Sequence, residues 1–276
     1  METRILWQAE NRSNDADFEG VTETYAAMLK FAHQVARPDT EITLRYMDEA
    51  PRSFANNLIY PRAVTKVQVV NRVVDAEREG FDAALAGVCI IDAYSQECRQ
   101  TVRMPVLGGA ESTMLMAQLV GKRFAWVTIA PTFIEPFEAH IRQHGWEHRA
   151  IRDRPVRALD PSCWLAIVDA ARGRPERWIE MFDEAAQACV RDGADTVLCG
   201  CNPGGALLGL AGYREVRDTG VPVIMGPAAM VKLAEAMVDL RRSLGLTKSE
   251  AVTGAYRTTP AYLLEELQAM GKKLVA

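Results

Sequence analysis

Two cysteines stand at matching places in the 276-residue chain. Cys89 closes the run Gly80-Phe81-Asp82-Ala83-Ala84-Leu85-Ala86-Gly87-Val88-Cys89, and Cys201 closes Gly193-Ala194-Asp195-Thr196-Val197-Leu198-Cys199-Gly200-Cys201. After its aspartate each run is almost wholly apolar, as a strand covered on both faces should be. After a connecting segment, each is followed by Pro-Val, a hydrophobic residue and glycine: Pro105-Val106-Leu107-Gly108-Gly109 and Pro222-Val223-Ile224-Met225-Gly226. The two stretches read as a weak internal repeat; the alternative is that buried parallel strands simply resemble one another.

The position of these cysteines suggests chemistry. In an open parallel sheet ligands collect beyond the carboxyl ends of the strands. If a pseudo-twofold relates the halves, the two sulfurs face each other across one cleft. Inverting a stereocentre next to a carbonyl requires a base on one face of the carbon and an acid on the other. A thiolate and a thiol fill those roles, because an ordinary cysteine pKa near ~8.5 needs little tuning for either. Backbone N–H groups in the following loops, with Asn202 and the Gly204-Gly205 segment as candidates, would steady the enolate-like oxyanion. No metal and no organic cofactor is required. The alternative for any single cysteine is a buried small hydrophobe. That is the reading for Cys98, Cys163, Cys189 and Cys199, with Cys189 on the apolar face of Ile179, Phe182 and Ala186.

The elements that would position the pair alternate between strand and helix. Strands are predicted at Arg4–Trp7, Glu41–Met47, Asp82–Ile91, Met104–Gly108, Arg123–Ala130, Thr196–Cys201 and Val221–Met225. Helices are predicted at Gly20–Val35, Ala63–Glu79, Glu111–Val120, Pro136–Gly145, Pro175–Arg191 and Pro227–Leu244. In the last of these, Met230, Leu233, Met237, Leu240 and Leu244 fall at helical spacing and read as a core stripe. Such alternation implies an α/β fold with mostly parallel sheets flanked by helices.

Composition narrows the function classes. Hydrophobic residues make up 49%, enough for a sizeable core, and the net charge of -4 argues against nucleic acid as a partner. No stretch reaches the ~18 consecutive apolar residues of a membrane span, and the N-terminus lacks the apolar region of a secretory signal. Six cysteines are too sparse for a disulfide framework, so reduced thiols and a cytoplasmic location are expected. Cys199-x-Cys201 has no zinc-ligand partner nearby, and no Walker or Rossmann glycine pattern follows. The four histidines, His33, His140, His144 and His148, are expected on the solvated surface.

From Ile5 to about Pro260 the chain resembles the Asp/Glu/hydantoin racemase superfamily, and within it the hydantoin/allantoin racemase branch. The resemblance rests on Cys89 with Asp92 three residues on, Pro105-Val106, Gly200-Cys201, and Gly121-Lys122-Arg123-Phe124-Ala125-Trp126-Val127-Thr128. It rests also on Gly220-Val221-Pro222-Val223-Ile224 leading into Ala228–Glu235. It implies two pseudo-symmetric α/β lobes with the active site in the cleft between them. We expect residues 1–109 plus 226–276 in the first lobe and 110–225 in the second. It also implies a small-molecule substrate, a homo-oligomer, and Cys89 and Cys201 as the proton-transfer pair.

Substrate contacts are expected from Asn11, Ile90, Asp92, Thr128, Asn202 and Gly204. Asp92 would tune the Cys89 loop or cap the next helix. Glu111 would act in the site or serve as a first-turn helix acid. Several positions depart from the family pattern: Ala9-Glu10-Asn11 where Asn-Pro-Asn is usual, Ile90-Ile91-Asp92-Ala93-Tyr94 after the first cysteine, Asn202-Pro203-Gly204-Gly205 after the second, and Met225 in place of an aspartate. Kept cysteines with altered pocket walls favour the same chemistry on a different or bulkier substrate, a 5-substituted hydantoin or related cyclic ureide or amino-acid derivative. The alternatives are chemistry like that of maleate isomerase or arylmalonate decarboxylase, in the same superfamily, or a non-catalytic ligand-binding protein.

Overall fold

A computed structural model describes residues 2–13, 19–47, 59–88, 94–159 and 163–273. Two sheets carry the fold. The first contains β1 (Thr3–Gln8), β2 (Thr40–Arg45), β3 (Ala83–Ala86) and β4 (Val106–Leu107), all parallel, in the order β2-β1-β3-β4. The second contains β5 (Phe124–Thr128), β6 (Val156–Ala158), β7 (Thr196–Cys199), β8 (Glu215–Val216) and β9 (Val221–Met225), in the order β6-β5-β7-β9-β8. Only β8, at the edge, runs antiparallel. Crossovers between parallel strands require intervening chain, which the helices supply: α1 (Val21–Val35), α2 (Ile59–Arg78), α3 (Ser95–Thr101), α4 (Gly109–Val120), α5 (Ile134–Gln143), α6 (Trp164–Ala171), α7 (Glu176–Arg191), α8 (Asn202–Leu210), α9 (Gly226–Leu244) and α10 (Ala261–Lys273).

The two sheets share one topology. With β5, β6, β7 and β9 matched to β1, β2, β3 and β4, the strand orders coincide and only β8 is extra. The likeness extends to single hydrogen bonds. The Asp82 carboxylate accepts from the Arg4 N–H at 2.9 Å, and the Asp195 carboxylate from the Arg123 N–H at 2.8 Å. Gly87 N–H donates to the Gln8 carbonyl at 2.9 Å, and Gly200 N–H to the Val127 carbonyl at 2.7 Å. Each aspartate fixes the register at the start of its strand, and each glycine closes the ladder at the end.

The core is largely aromatic and aliphatic and falls into two clusters, a large one spanning both sheets and a smaller one between the first sheet, α2 and α3. Trp7, Trp126, Trp178, Phe124, Phe137 and Phe182 are all fully enclosed. On α7 the face Trp178, Phe182, Ala186 and Cys189 is buried, with Ile179 at its margin.

Helix α9 differs from the sequence reading. Of the Met230-Leu233-Met237-Leu240-Leu244 stripe, only Met230 is fully buried; Leu240 is 37% and Leu244 75% exposed. The residues facing inward are Ala229, Val231, Ala234 and Val238. Small side chains let this helix lie close to α1, α4 and the first sheet; of the larger ones, Met230 is buried, Leu233 packs at the core's edge, and Leu240 and Leu244 turn outward. Two histidines also depart from expectation: His140 and His144 are half-buried and stack on each other, and His144 packs against Trp146.

Glu235 on α9 ties the helix to the corner between α1 and β2. Its carboxylate accepts from the Arg37 N–H at 2.7 Å, the Thr40 hydroxyl at 2.8 Å and the Lys232 ammonium at 2.9 Å. Burial alone would raise its pKa, but these donors outweigh it and hold the pKa below the usual carboxylate range. The stabilisation is therefore present at neutral pH and lost as pH falls through the depressed value. Glu235→Ala should cost about 2–4 kcal/mol, because it strands the buried Thr40 hydroxyl and the Arg37 N–H. Urea unfolding at pH 7 and pH 4 checks this, and the difference between wild type and variant should shrink at the lower pH.

Candidate active site

The site is built where β7 ends. Cys201 leaves the strand with extended backbone (φ -149°, ψ 118°) and becomes the N-cap of α8. The Gly204 N–H donates to its sulfur at 3.4 Å, and the Gly205 N–H to its carbonyl at 2.8 Å. The Asn202-Pro203-Gly204-Gly205 segment is thus the first turn of a helix, not a loop. The Gly204 and Gly205 N–H groups are directed at Cys201 itself. Helix N-termini favour a thiolate.

Gly204 is required by close approach. A Cβ there would lie 2.8 Å from the Trp178 ring and 3.3 Å from the Cys201 Cβ. Trp178 backs the turn and donates from its indole N–H to the Gly204 carbonyl at 3.0 Å.

Cys201 is 8% exposed, and burial pushes its thiol up to about 12 against the partial relief from the Gly204 N–H. Around neutral pH the enclosed sulfur is therefore a thiol. Cys199 is fully enclosed; its thiol donates to the Cys201 carbonyl at 3.5 Å, and burial first, then the neighbouring Cys201, raises its pKa well above the ordinary value. Cys163 is buried near Cys201 and is raised for the same reasons. Cys98 and Cys189 are fully buried core residues.

Beside Cys201, two buried polar atoms lack a hydrogen-bond partner among the described residues: the Thr128 hydroxyl oxygen and the Asn202 amide oxygen. Thr128 ends β5 and lies next to Gly200, where a Cβ would come within 3.0 Å of the Thr128 Cβ. An unsatisfied buried oxygen is costly unless something hydrogen-bonds to it. Asn202 uses its other amide atom to reach across the molecule. Its N–H2 donates to the Val88 carbonyl at 2.9 Å and lies 3.7 Å from the Met230 sulfur.

Val88 is the last described residue before Cys89, and its backbone is held on both sides. Its N–H donates to the Glu10 carboxylate, its carbonyl accepts from Asn202, and the preceding Gly87 carbonyl accepts from the Trp7 indole at 3.0 Å. Gly87 itself has φ 92°, a left-handed conformation, and a Cβ would strike the Tyr94 ring at 2.8 Å. The end of β3 and the start of α8 are thereby joined by one hydrogen bond between the two sheets.

Cys89, Ile90 and Asp92 lie outside the described residues. Asn11 is buried beyond the end of β1, and its carbonyl accepts from the Met47 N–H at 2.9 Å. Glu111 takes the first-turn role: it caps α4 by accepting from the Gly108 N–H at 3.1 Å and pairs with Arg99. Sequence reasoning passed over Glu10 and Trp178. A carboxylate two residues beyond a largely apolar strand was the signal for Glu10, which is 2% exposed. Among the described residues no group of three or more His, Cys, Asp or Glu is placed to hold a metal ion. No helix among them is long and apolar enough to cross a membrane.

Two mostly parallel sheets of one topology, joined where β3 ends and the cysteine-capped α8 begins, define a two-lobed α/β fold. Residues 18–234 match the family model described as Asp/Glu/Hydantoin racemase. A hydantoin racemase from a Pseudomonas species is 29% identical over 221 residues, covering 79% of this chain and 82% of that protein. Among solved structures, an allantoin racemase from Pseudomonas fluorescens superposes with a TM-score of 0.73 at 25% identity, covering 93% of this chain and 97% of the other. In fold, the allantoin racemase from Klebsiella pneumoniae is equally similar, with a TM-score of 0.74 at 24% identity and 94% of each chain covered. The chain belongs to the Asp/Glu/hydantoin racemase family, on its hydantoin/allantoin branch, and is an isomerase of the racemase class.

Proposed function

We propose that the protein inverts a carbon alpha to a carbonyl in a cyclic ureide, with a 5-substituted hydantoin as the substrate class, by proton transfer between Cys89 and Cys201. The observation that carries this reading is the Asn202–Val88 hydrogen bond. In sequence Asn202 follows Cys201 and Val88 precedes Cys89, so the bond joins the residues next to the two cysteines.

In one direction the Cys89 thiolate removes the alpha proton and the electron pair moves into the neighbouring carbonyl. The Cys201 thiol then delivers its proton to the opposite face of the carbon. Inverted substrate leaves, with Cys89 now a thiol and Cys201 a thiolate. The opposite enantiomer resets the pair by the reverse route. Burial keeps Cys201 protonated before the reaction, which suits it to the acid role. The Thr128 hydroxyl can donate to a ring carbonyl, and the Asn202 amide oxygen can accept from a ring N–H; both are buried and without a partner among the described residues. A ring places the alpha proton beside a neutral carbonyl, so the carbanion forms at less cost than beside a carboxylate.

The test is to incubate a single enantiomer of 5-isopropylhydantoin with the enzyme in deuterium oxide. Optical rotation should decay well above the uncatalysed rate, and product of inverted configuration should carry deuterium at the ring alpha carbon. Loss of rotation without deuterium would contradict proton transfer. No acceleration with any of a small panel of hydantoins would contradict the substrate class.

A further inference from the structure

The helix that Cys201 caps carries two consecutive glycines, Gly204 and Gly205, in its first turn. Glycine is the residue least restrained by its own backbone and, proline apart, the poorest helix former. The turn therefore needs a clamp from outside α8, and Trp178, in the first turn of α7, supplies one. Its indole N–H donates to the Gly204 carbonyl at 3.0 Å, and its ring packs so close that a Cβ at Gly204 would lie 2.8 Å from Cζ2. That same Cβ position is 3.4 Å from the Cys201 sulfur, so indole and sulfur meet at one glycine. Trp178 is fully buried and rests edge-on against Phe182, one turn further along α7.

The clamp matters most when Cys201 gives up its proton. The Gly204 N–H donates to the sulfur at 3.4 Å and is what offsets burial there. Its bond strengthens once the acceptor is a charged thiolate. The N–H and the carbonyl of Gly204 flank one Cα, so holding the carbonyl and packing the Cα fixes the direction of the N–H.

We propose that Trp178 is a positioning residue for proton transfer at Cys201: the indole pins Gly204 so that its N–H stays on the sulfur while the thiol becomes a thiolate. This rests on the reading above, in which Cys201 hands its proton to the substrate carbanion. The proton goes to carbon, the S–H electron pair stays on sulfur, and the Gly204 N–H bears on the new charge. Without the indole the glycine pair relaxes, the N–H leaves the sulfur, and the transfer slows although substrate binding does not change.

Trp178→Phe keeps an aromatic side chain in the core and removes the N–H donor. Hydrogen-exchange mass spectrometry should show the amides of Cys201–Leu210 exchanging about tenfold faster in this variant. With single enantiomers of 5-isopropylhydantoin, kcat should fall about tenfold and KM should not change. In deuterium oxide the enantiomer whose alpha proton Cys89 removes should still take up deuterium, so exchange outlasts inversion. Val73→Ala, in the separate core cluster against α2, should lower stability and leave the ratio of exchange to inversion at the wild-type value. The proposal is overturned if Trp178→Phe leaves amide exchange unaltered, if it leaves kcat unaltered while wild type racemises hydantoins, or if it lowers exchange and inversion in step. A wild type that does not turn over hydantoins overturns the proposed function instead, and amide exchange then still decides whether Trp178 pins the turn.

Discussion

Replacing Cys201 by serine is expected to slow racemisation by about three orders of magnitude, within the span seen when a positioned acid or base is lost. Serine is close in shape and its hydroxyl can accept the Gly204 N–H in place of the sulfur, so α8 should still be capped and the unfolding midpoint little changed. The alcohol proton is far less acidic than even the raised thiol, so delivery to the carbanion fails. The diagnostic result is asymmetric. With only Cys89 working, one enantiomer should still exchange its alpha hydrogen in deuterium oxide but keep its configuration, while the other should exchange hardly at all. Chiral chromatography with mass detection reads both quantities. An unchanged racemisation rate in this variant would refute the two-base scheme.

Alkali should destabilise the protein steeply. Cys98, Cys163, Cys189, Cys199 and Cys201 are buried thiols, each with its pKa pushed up chiefly by burial, Cys189 to about 11 and Cys201 to about 12. In the unfolded chain they titrate near ~8.5. Below that value neither state loses protons and the stabilisation is intact. Above it the unfolded state sheds protons that the folded state retains, so stability falls as pH rises. By pH 10 each thiol costs about 1–2 kcal/mol, several kcal/mol together, against a total stability of about 5–15 kcal/mol. Lys248, with its pKa lowered by burial, acts in the opposite direction but is one group against five. Urea unfolding at pH 7.5 and pH 10 should show this loss, and Cys98→Ala with Cys189→Ala should flatten the dependence. Stability that did not change between those pH values would overturn the account.

Much of the scaffold was legible because parallel strands and amphipathic helices leave strong marks. The boundaries of β7, β9, α7 and α9 fall within two residues of expectation. The paired aspartates and glycines behind the repeat reappear as paired hydrogen bonds. What was missed has identifiable causes. Proline and two glycines in Asn202–Gly205 read as a turn, yet packing of Gly204 on Trp178 makes the segment helical. Helix α6 and strand β6 are short, and their patterns were overlooked. The α9 stripe misled because large apolar residues were weighed above alanine and valine, whereas close helix packing selects the small ones. At the site, residue types pointed to Cys201, Asn202 and Thr128. The bond from Asn202 to Val88 was invisible, because it joins positions 114 residues apart.

Helix α9 follows the last strand of the second sheet, yet it packs on β1, β3 and β4 of the first. A ribosome therefore releases the strands of the amino-terminal sheet long before the rod that shelters them. Until residue 244 has emerged, one flank of that sheet is covered by α1 without α9, and the Arg37–Thr40 corner lacks its carboxylate. The sheet built from β1 to β4 is thus completed only by a helix that follows the whole of the other sheet in sequence.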